Sequence, residues 1–122
     1  MRILANGTLV TPEGLRHGDV ALDGEKIARI AAHIEPADGD EVEDVRGCWV
    51  FPGFIDGHTH MQCWTGIDWT ADSFETGTRA AACGGTTTIV DYATADRGVT
   101  MPDALDEWHR RADGTCTANY AF

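Results

Sequence analysis

Lysine is almost missing from this 122-residue chain: Lys26 is the only one, and with eight arginines it faces 20 acidic residues, for a net charge of −11. The basic residues are scattered, with only Arg110 and Arg111 adjacent. No basic stripe exists to neutralise phosphates, which argues against nucleic acid as a partner. The same acidity disfavours an anionic membrane surface. Apolar runs are short as well, so no segment reads as a bilayer span, and Asn6-Gly7 interrupts the start before a leader's apolar region could form. The four cysteines, Cys48, Cys63, Cys83 and Cys116, match no zinc-knuckle spacing. They are too sparse for a disulfide scaffold and read as free thiols of a reducing, cytoplasmic compartment. What is plentiful is apolar content, at 43%, which is enough for a core.

The first fifty residues read as β structure. Ile3–Val10 is a short apolar stretch broken at Asn6-Gly7. Val20–Leu22 and Ile27–Ile30 flank Asp23-Gly24, a hairpin signal because both positions tolerate positive φ. Weak alternation over 41–45 and the stretch 47–51 complete a small β-module, residues 1–52, in which no strand is expected to be long.

The rhythm changes after Pro52. Phe54–His58 reads as a short strand, and a loop covers 61–71. Asp72 is expected to cap a helix, with Glu75 as its capping-box partner. That helix stops at Gly84-Gly85. Phe74, Thr78, Ala81 and Ala82 form its packing face, and Gly77 allows close approach. Thr86–Tyr92 is rich in β-branched residues and reads as a buried strand. Thr100 caps a second helix with Pro102 in its first turn, and Leu105, Trp108 and Ala112 share a face. A third strand opens within 116–122. Strand, helix, strand, helix, strand at a repeat of about thirty residues describes βα units in a parallel sheet. By pattern alone, residues 53–122 are either a small open α/β domain or the beginning of a closed barrel.

Chemistry concentrates in Asp56-Gly57-His58-Thr59-His60. Side chains two apart on a strand share a face, so His58 and His60 project together and can bind one metal ion through neutral imidazoles. The C-terminal end of a parallel strand is where such sheets carry their sites. Asp56, two residues earlier on the same face, is a candidate carboxylate that orients a ligand without touching the metal, and Gly57 allows close approach. Zinc needs three or four protein ligands, so two histidines do not complete a site. His17, His33 and His109 read as surface residues. Asp91 reads as a strand-end hydrogen-bond acceptor, and Cys63 as incidental to the pair. Trp64, Ile67 and Trp69 are either a substrate gate or a loop packed on its neighbours, and both readings stand.

The run Val50–His60 resembles the signature of the amidohydrolase superfamily. Asp72–Thr78, the Gly-Gly-Thr-Thr-Thr-Ile-Val-Asp core ending at Asp91, Ala104–Trp108 and the opening Ile3–Val10 are similar to its hydantoinase/dihydropyrimidinase branch. The resemblance covers essentially the whole chain. It implies an α/β architecture in which residues 1–52 belong to a composite β-sandwich. Residues 53–122 are then the first two βα units and third strand of a truncated (β/α)8 barrel.

It further implies a zinc-dependent hydrolase that opens hydantoin or dihydropyrimidine rings to N-carbamoyl amino acids. His58 and His60 would be ligands to one of two Zn2+ ions. The carboxylated lysine that bridges them, two more histidines and a catalytic aspartate are expected beyond Phe122. The resemblance implies a homotetramer for the intact protein and no activity for this stretch alone. Gln62 stands where dihydroorotases and allantoinases carry arginine, which weakens those readings. The presence of both histidines weakens that of a non-catalytic scaffold.

Overall fold

The computed structural model describes residues 1–122, and the chain divides into two compact units, Met1–Pro52 and Gly53–Phe122.

The first unit is a five-stranded sheet. Its strands are β1 (Arg2–Thr11), β2 (Gly14–Asp23), β3 (Lys26–Ala31), β4 (Glu41–Asp44) and β5 (Trp49–Val50). The order is β3-β2-β1-β4, with β5 also on β1. β1 pairs antiparallel with β2 and parallel with β4 and β5. Two expectations fail here. β1 and β2 are ten residues each, and β1 runs straight through Asn6-Gly7. The local turn signal is absorbed as a bulge: the register with β2 shifts between Leu4 and Gly7, and Asn6 takes φ 62°. Asp19, on β2, holds that bulge by accepting the Asn6 amide at 2.7 Å. The second hairpin falls one residue later than its sequence signal. Asp23 pairs with Lys26, so Gly24-Glu25 is the loop, with φ 56° at Gly24.

The core of this unit is small, with Ile3, Ala21 and Ile34 at its centre. Asp19 is buried among them at 2% exposure. Besides Asn6 it accepts the Ile34 amide at 2.8 Å and faces His33 Nδ1 at 3.1 Å. Burial pushes the Asp19 carboxyl up, and these three donors outweigh it, so the group titrates below the usual carboxylate range.

The second unit is a parallel sheet of β6 (Phe54–Thr59), β7 (Thr86–Asp91) and β8 (Asn119–Ala121), in that order. Its two helices are α1 (Phe74–Cys83), between β6 and β7, and α2 (Met101–Ala112), between β7 and β8. α1 is capped by Ser73, not Asp72. The Ser73 hydroxyl accepts the Thr76 amide, and the Thr76 hydroxyl accepts the Ser73 amide, a reciprocal box that threonine closes as well as glutamate does. Asp72 accepts from the Thr76 hydroxyl instead, and Glu75 pairs with Arg79 at 2.9 Å.

α1 buries Phe74, Gly77 and Thr78. A Cβ on Gly77 would lie 2.7 Å from Met61 Sδ, so the missing side chain is what admits the loop. α2 begins at Thr100 with Pro102 in its first turn. Its buried stripe is Ala104, Trp108 and Ala112. Leu105 lies off this i, i+4 row and is 39% exposed, contrary to expectation. The core gathers Met61, Cys63, Phe74, Ile89, Trp108 and Ala112. Neither helix is long and apolar enough to cross a membrane.

Candidate metal centre

His58 lies at the C-terminal end of β6 and His60 just past it, both exposed, with their Nε2 atoms 3.1 Å apart. Two nitrogens each about 2.0–2.1 Å from one tetrahedral zinc lie about 3.3 Å from each other. The pair therefore fits one metal ion with only a few tenths of an ångström of adjustment. It does not fit a complete site: no group of three or more histidine, cysteine, aspartate or glutamate side chains in the chain converges on a common point. Cys63, weighed above as incidental, is turned elsewhere. It is buried, and its thiol lies near Thr94 Oγ1 and the Trp64 carbonyl.

The backbone around the histidines is fixed from β7. Asp91 is 1% exposed. Its Oδ2 accepts from Thr59 Oγ1 and from the Met61 amide, both at 2.8 Å, so it grips the residues on either side of His60. Its Oδ1 accepts the Trp108 indole N–H at 3.0 Å. Asp91 is thus an acceptor, as the sequence suggests, though one with three donors. Tyr92, the next residue, donates its amide to the Thr59 carbonyl at 3.3 Å. Its ring lies 4.6 Å from His58 and 5.3 Å from His60, centroid to centroid. The sequence puts Tyr92 at the end of a buried strand, whereas β7 stops at Asp91 and Tyr92 is 49% exposed. The signal for its contacts was available only in the register that pairs Thr59 with Asp91 and so sets residue 92 beside the histidines.

Asp56 is not drawn to either imidazole. The β6–β7 register shifts between Asp56 and Thr59, so simple alternation does not carry across Gly57. The Asp56 carboxylate accepts the backbone amide of His58 at 3.1 Å, fixing main chain and not ring. Nor is Gly57 crowded: a Cβ there would meet nothing within 4 Å, so close approach does not explain it in this chain.

The loop after His60 is ordered by its own bonds. Gln62 turns the chain with φ 49° and donates its amide to the Asp72 carbonyl at 2.8 Å. Cys63 and Thr70 bond across the loop, and Trp64 bridges Trp69 with ring centroids 5.9 Å apart. Arg111 of α2 ties it down. The guanidinium lies over Trp108 at 4.4 Å and beside Trp69 at 6.0 Å, and donates to the Gln62 carbonyl at 2.8 Å. The two tryptophans thus pack on each other and line a cavity of about 180 Å³ against α2. Ile67, at the tip, is 90% exposed.

No protein-family model matches the chain, but individual proteins do. The D-hydantoinase of Streptomyces coelicolor is 43% identical over 98% of this chain and 27% of its own length. The D-phenylhydantoinase of Escherichia coli is 38% identical over 100% of this chain and 27% of its own. Among solved structures, dihydropyrimidinase from Brevibacillus agri superposes with a TM-score of 0.91 at 40% identity, covering 98% of this chain and 26% of that one. The chain spans about a quarter of the length of the relatives it matches. Within that quarter it is homologous to the hydantoinases along essentially its whole length.

Proposed function

We propose that this chain is the metal-ligand-bearing first part of a cyclic-amide hydrolase that opens hydantoin or dihydropyrimidine rings to N-carbamoyl amino acids. The observation that carries the reading is the His58–His60 pair, with nitrogens 3.1 Å apart at the end of a parallel strand, in a chain related throughout to hydantoinases. In this reading β6–α1–β7–α2–β8 opens a (β/α)8 barrel.

His58 and His60 hold a zinc ion, whose chemistry is to polarise the amide carbonyl and lower the pKa of water towards about 7. The chain's own contribution is placement. Asp91 fixes the backbone on both sides of His60, Asp56 fixes that of His58, and the loop carrying Trp64, Ile67 and Trp69 forms a wall at the ring substituent. With two of the required ligands, the 122 residues alone do not turn over substrate. The intact cytoplasmic protein assembles as a homotetramer, which light scattering would check.

The test is to read the gene past Phe122 and assay its full product, with zinc supplied, on hydantoin and dihydrouracil. Further histidines, a lysine-bearing strand and ring opening are expected. A stop codon after Phe122, or a flat assay with zinc bound, would overturn the proposal.

A further inference from the structure

We infer that Tyr92 is a positioning residue that holds both imidazoles in the orientation a single metal ion requires, an inference that rests on the metal-ligand reading above. His58 and His60 are exposed, and exposed histidines ordinarily sample several rotamers, with a broad second torsion. Here two kinds of restraint act on them. The first is on the backbone, through Asp91 and the Tyr92 amide, and it fixes where the two Cα atoms sit without fixing the rings. The second is on the rings themselves. The Tyr92 phenol ring contacts both imidazoles, at 4.6 Å and 37° to His58 and at 5.3 Å and 33° to His60. Those separations lie in the favourable range for tilted aromatic pairs.

The two imidazoles also touch each other, with centroids 5.1 Å apart and planes at 67°. The Nε2–Nε2 contact restrains their separation but leaves both planes free to turn about it. The Tyr92 ring, tilted 37° and 33° to the two imidazoles, limits that turning from one side. Tyr92 is 49% exposed, so it contributes little to the core and its ring is available for this work. It follows Asp91, whose carboxylate reaches the Met61 amide and the Trp108 indole. The ring is therefore mounted beside a residue held by three hydrogen bonds. Rings ordered before the metal arrives lose less freedom on binding it, and contacts just outside the ligand sphere commonly set affinity by an order of magnitude or more.

The experiment uses the full-length product of the gene that encodes this chain, stripped of metal and titrated with zinc against a competing chelator. The Co2+ absorption spectrum serves as a report of ligand geometry. Tyr92→Ala is expected to weaken zinc binding on the order of 10–100-fold and to alter the Co2+ spectrum, with an unchanged melting temperature for the metal-free protein. Tyr92→Phe keeps the ring and is expected to bind and absorb as the wild type does. If Tyr92→Ala melts early, Tyr92→Leu, which keeps bulk without a flat face, decides the matter, and weakened zinc binding is expected of it.

Wild-type zinc affinity in Tyr92→Ala or Tyr92→Leu, beside a His60→Ala protein that has lost it, overturns the positioning role alone. Unchanged zinc affinity in His60→Ala removes the metal-ligand reading and this inference with it.

Discussion

Each unit of the chain buries one carboxylate under three donors, and the two are put to different ends. Asp19 lies within β2 and gathers the Asn6 and Ile34 amides and His33. Its donors come from a bulge and from the segment after β3, so it closes a sheet upon itself. Asp91 lies at the end of β7 and gathers Thr59, Met61 and Trp108. Its donors straddle His60 and reach into α2, so the same device aims a pair of side chains. Satisfying a buried carboxyl group with hydrogen bonds is a requirement of burial in both cases. Whether it also serves a site depends on where along a strand the carboxylate stands and on what its donors flank.

The comparison breaks most sharply at Asp91→Ala. Two buried donors and one part-buried donor lose their acceptor, and urea unfolding should register a loss of about 3 kcal/mol. In the full-length protein, zinc affinity should fall with it. If stability drops and zinc binding holds, the two carboxylates do the same work and the contrast is void. Asp19→Ala should cost about 2 kcal/mol, with faster amide exchange at Asn6 and Ile34. Its zinc affinity should be that of the wild type, and a loss there would blur the distinction from the other side.

Acid sharpens the contrast further. The folded Asp19 titrates below its unfolded value of about 3.9. The stability it contributes is therefore complete above that pH and is lost as pH falls through the folded pKa. Urea midpoints between about pH 5 and pH 2 should show an acid limb that flattens in Asp19→Asn, and an unflattened limb would assign it to another group. The smallest effect concerns α1, one of the two helices of the second unit. Ser73→Ala should cost about 1 kcal/mol and Asp72→Ala much less. The reverse order would restore Asp72 as the cap.

Residues 53–122 were legible where punctuation is local. Gly84-Gly85 stops α1, with Gly85 at φ 87°, and Thr100 with Pro102 starts α2. Where a choice depends on partners distant in sequence, the reading slipped. Asn6-Gly7 is a turn dipeptide by itself, and only Asp19, thirteen residues on, makes it a bulge in an unbroken strand. One local choice slipped as well: the cap is Ser73, not Asp72, because Thr76, three residues on, reciprocates. The buried row of α2 runs through Ala104, Trp108 and Ala112 at i, i+4 spacing, and Leu105 falls beside it. In the candidate site, the two histidines follow from strand alternation and meet as expected. Alternation fails at Asp56 because a bulge is a property of two strands. Tyr92 was hidden for a related reason: its contacts run from one strand end to the next.

Trp108 shows how far such contacts extend. It sits on a helix whose business is packing, yet its indole holds one oxygen of Asp91 from 17 positions away in sequence, and the other oxygen holds the neighbours of His60. A change made in α2 therefore reaches the imidazoles through two successive hydrogen bonds. Laboratory evolution for a different metal or substrate should return winning substitutions at Trp108 and around it, in a helix that a screen restricted to the two histidines and their strand would leave untouched.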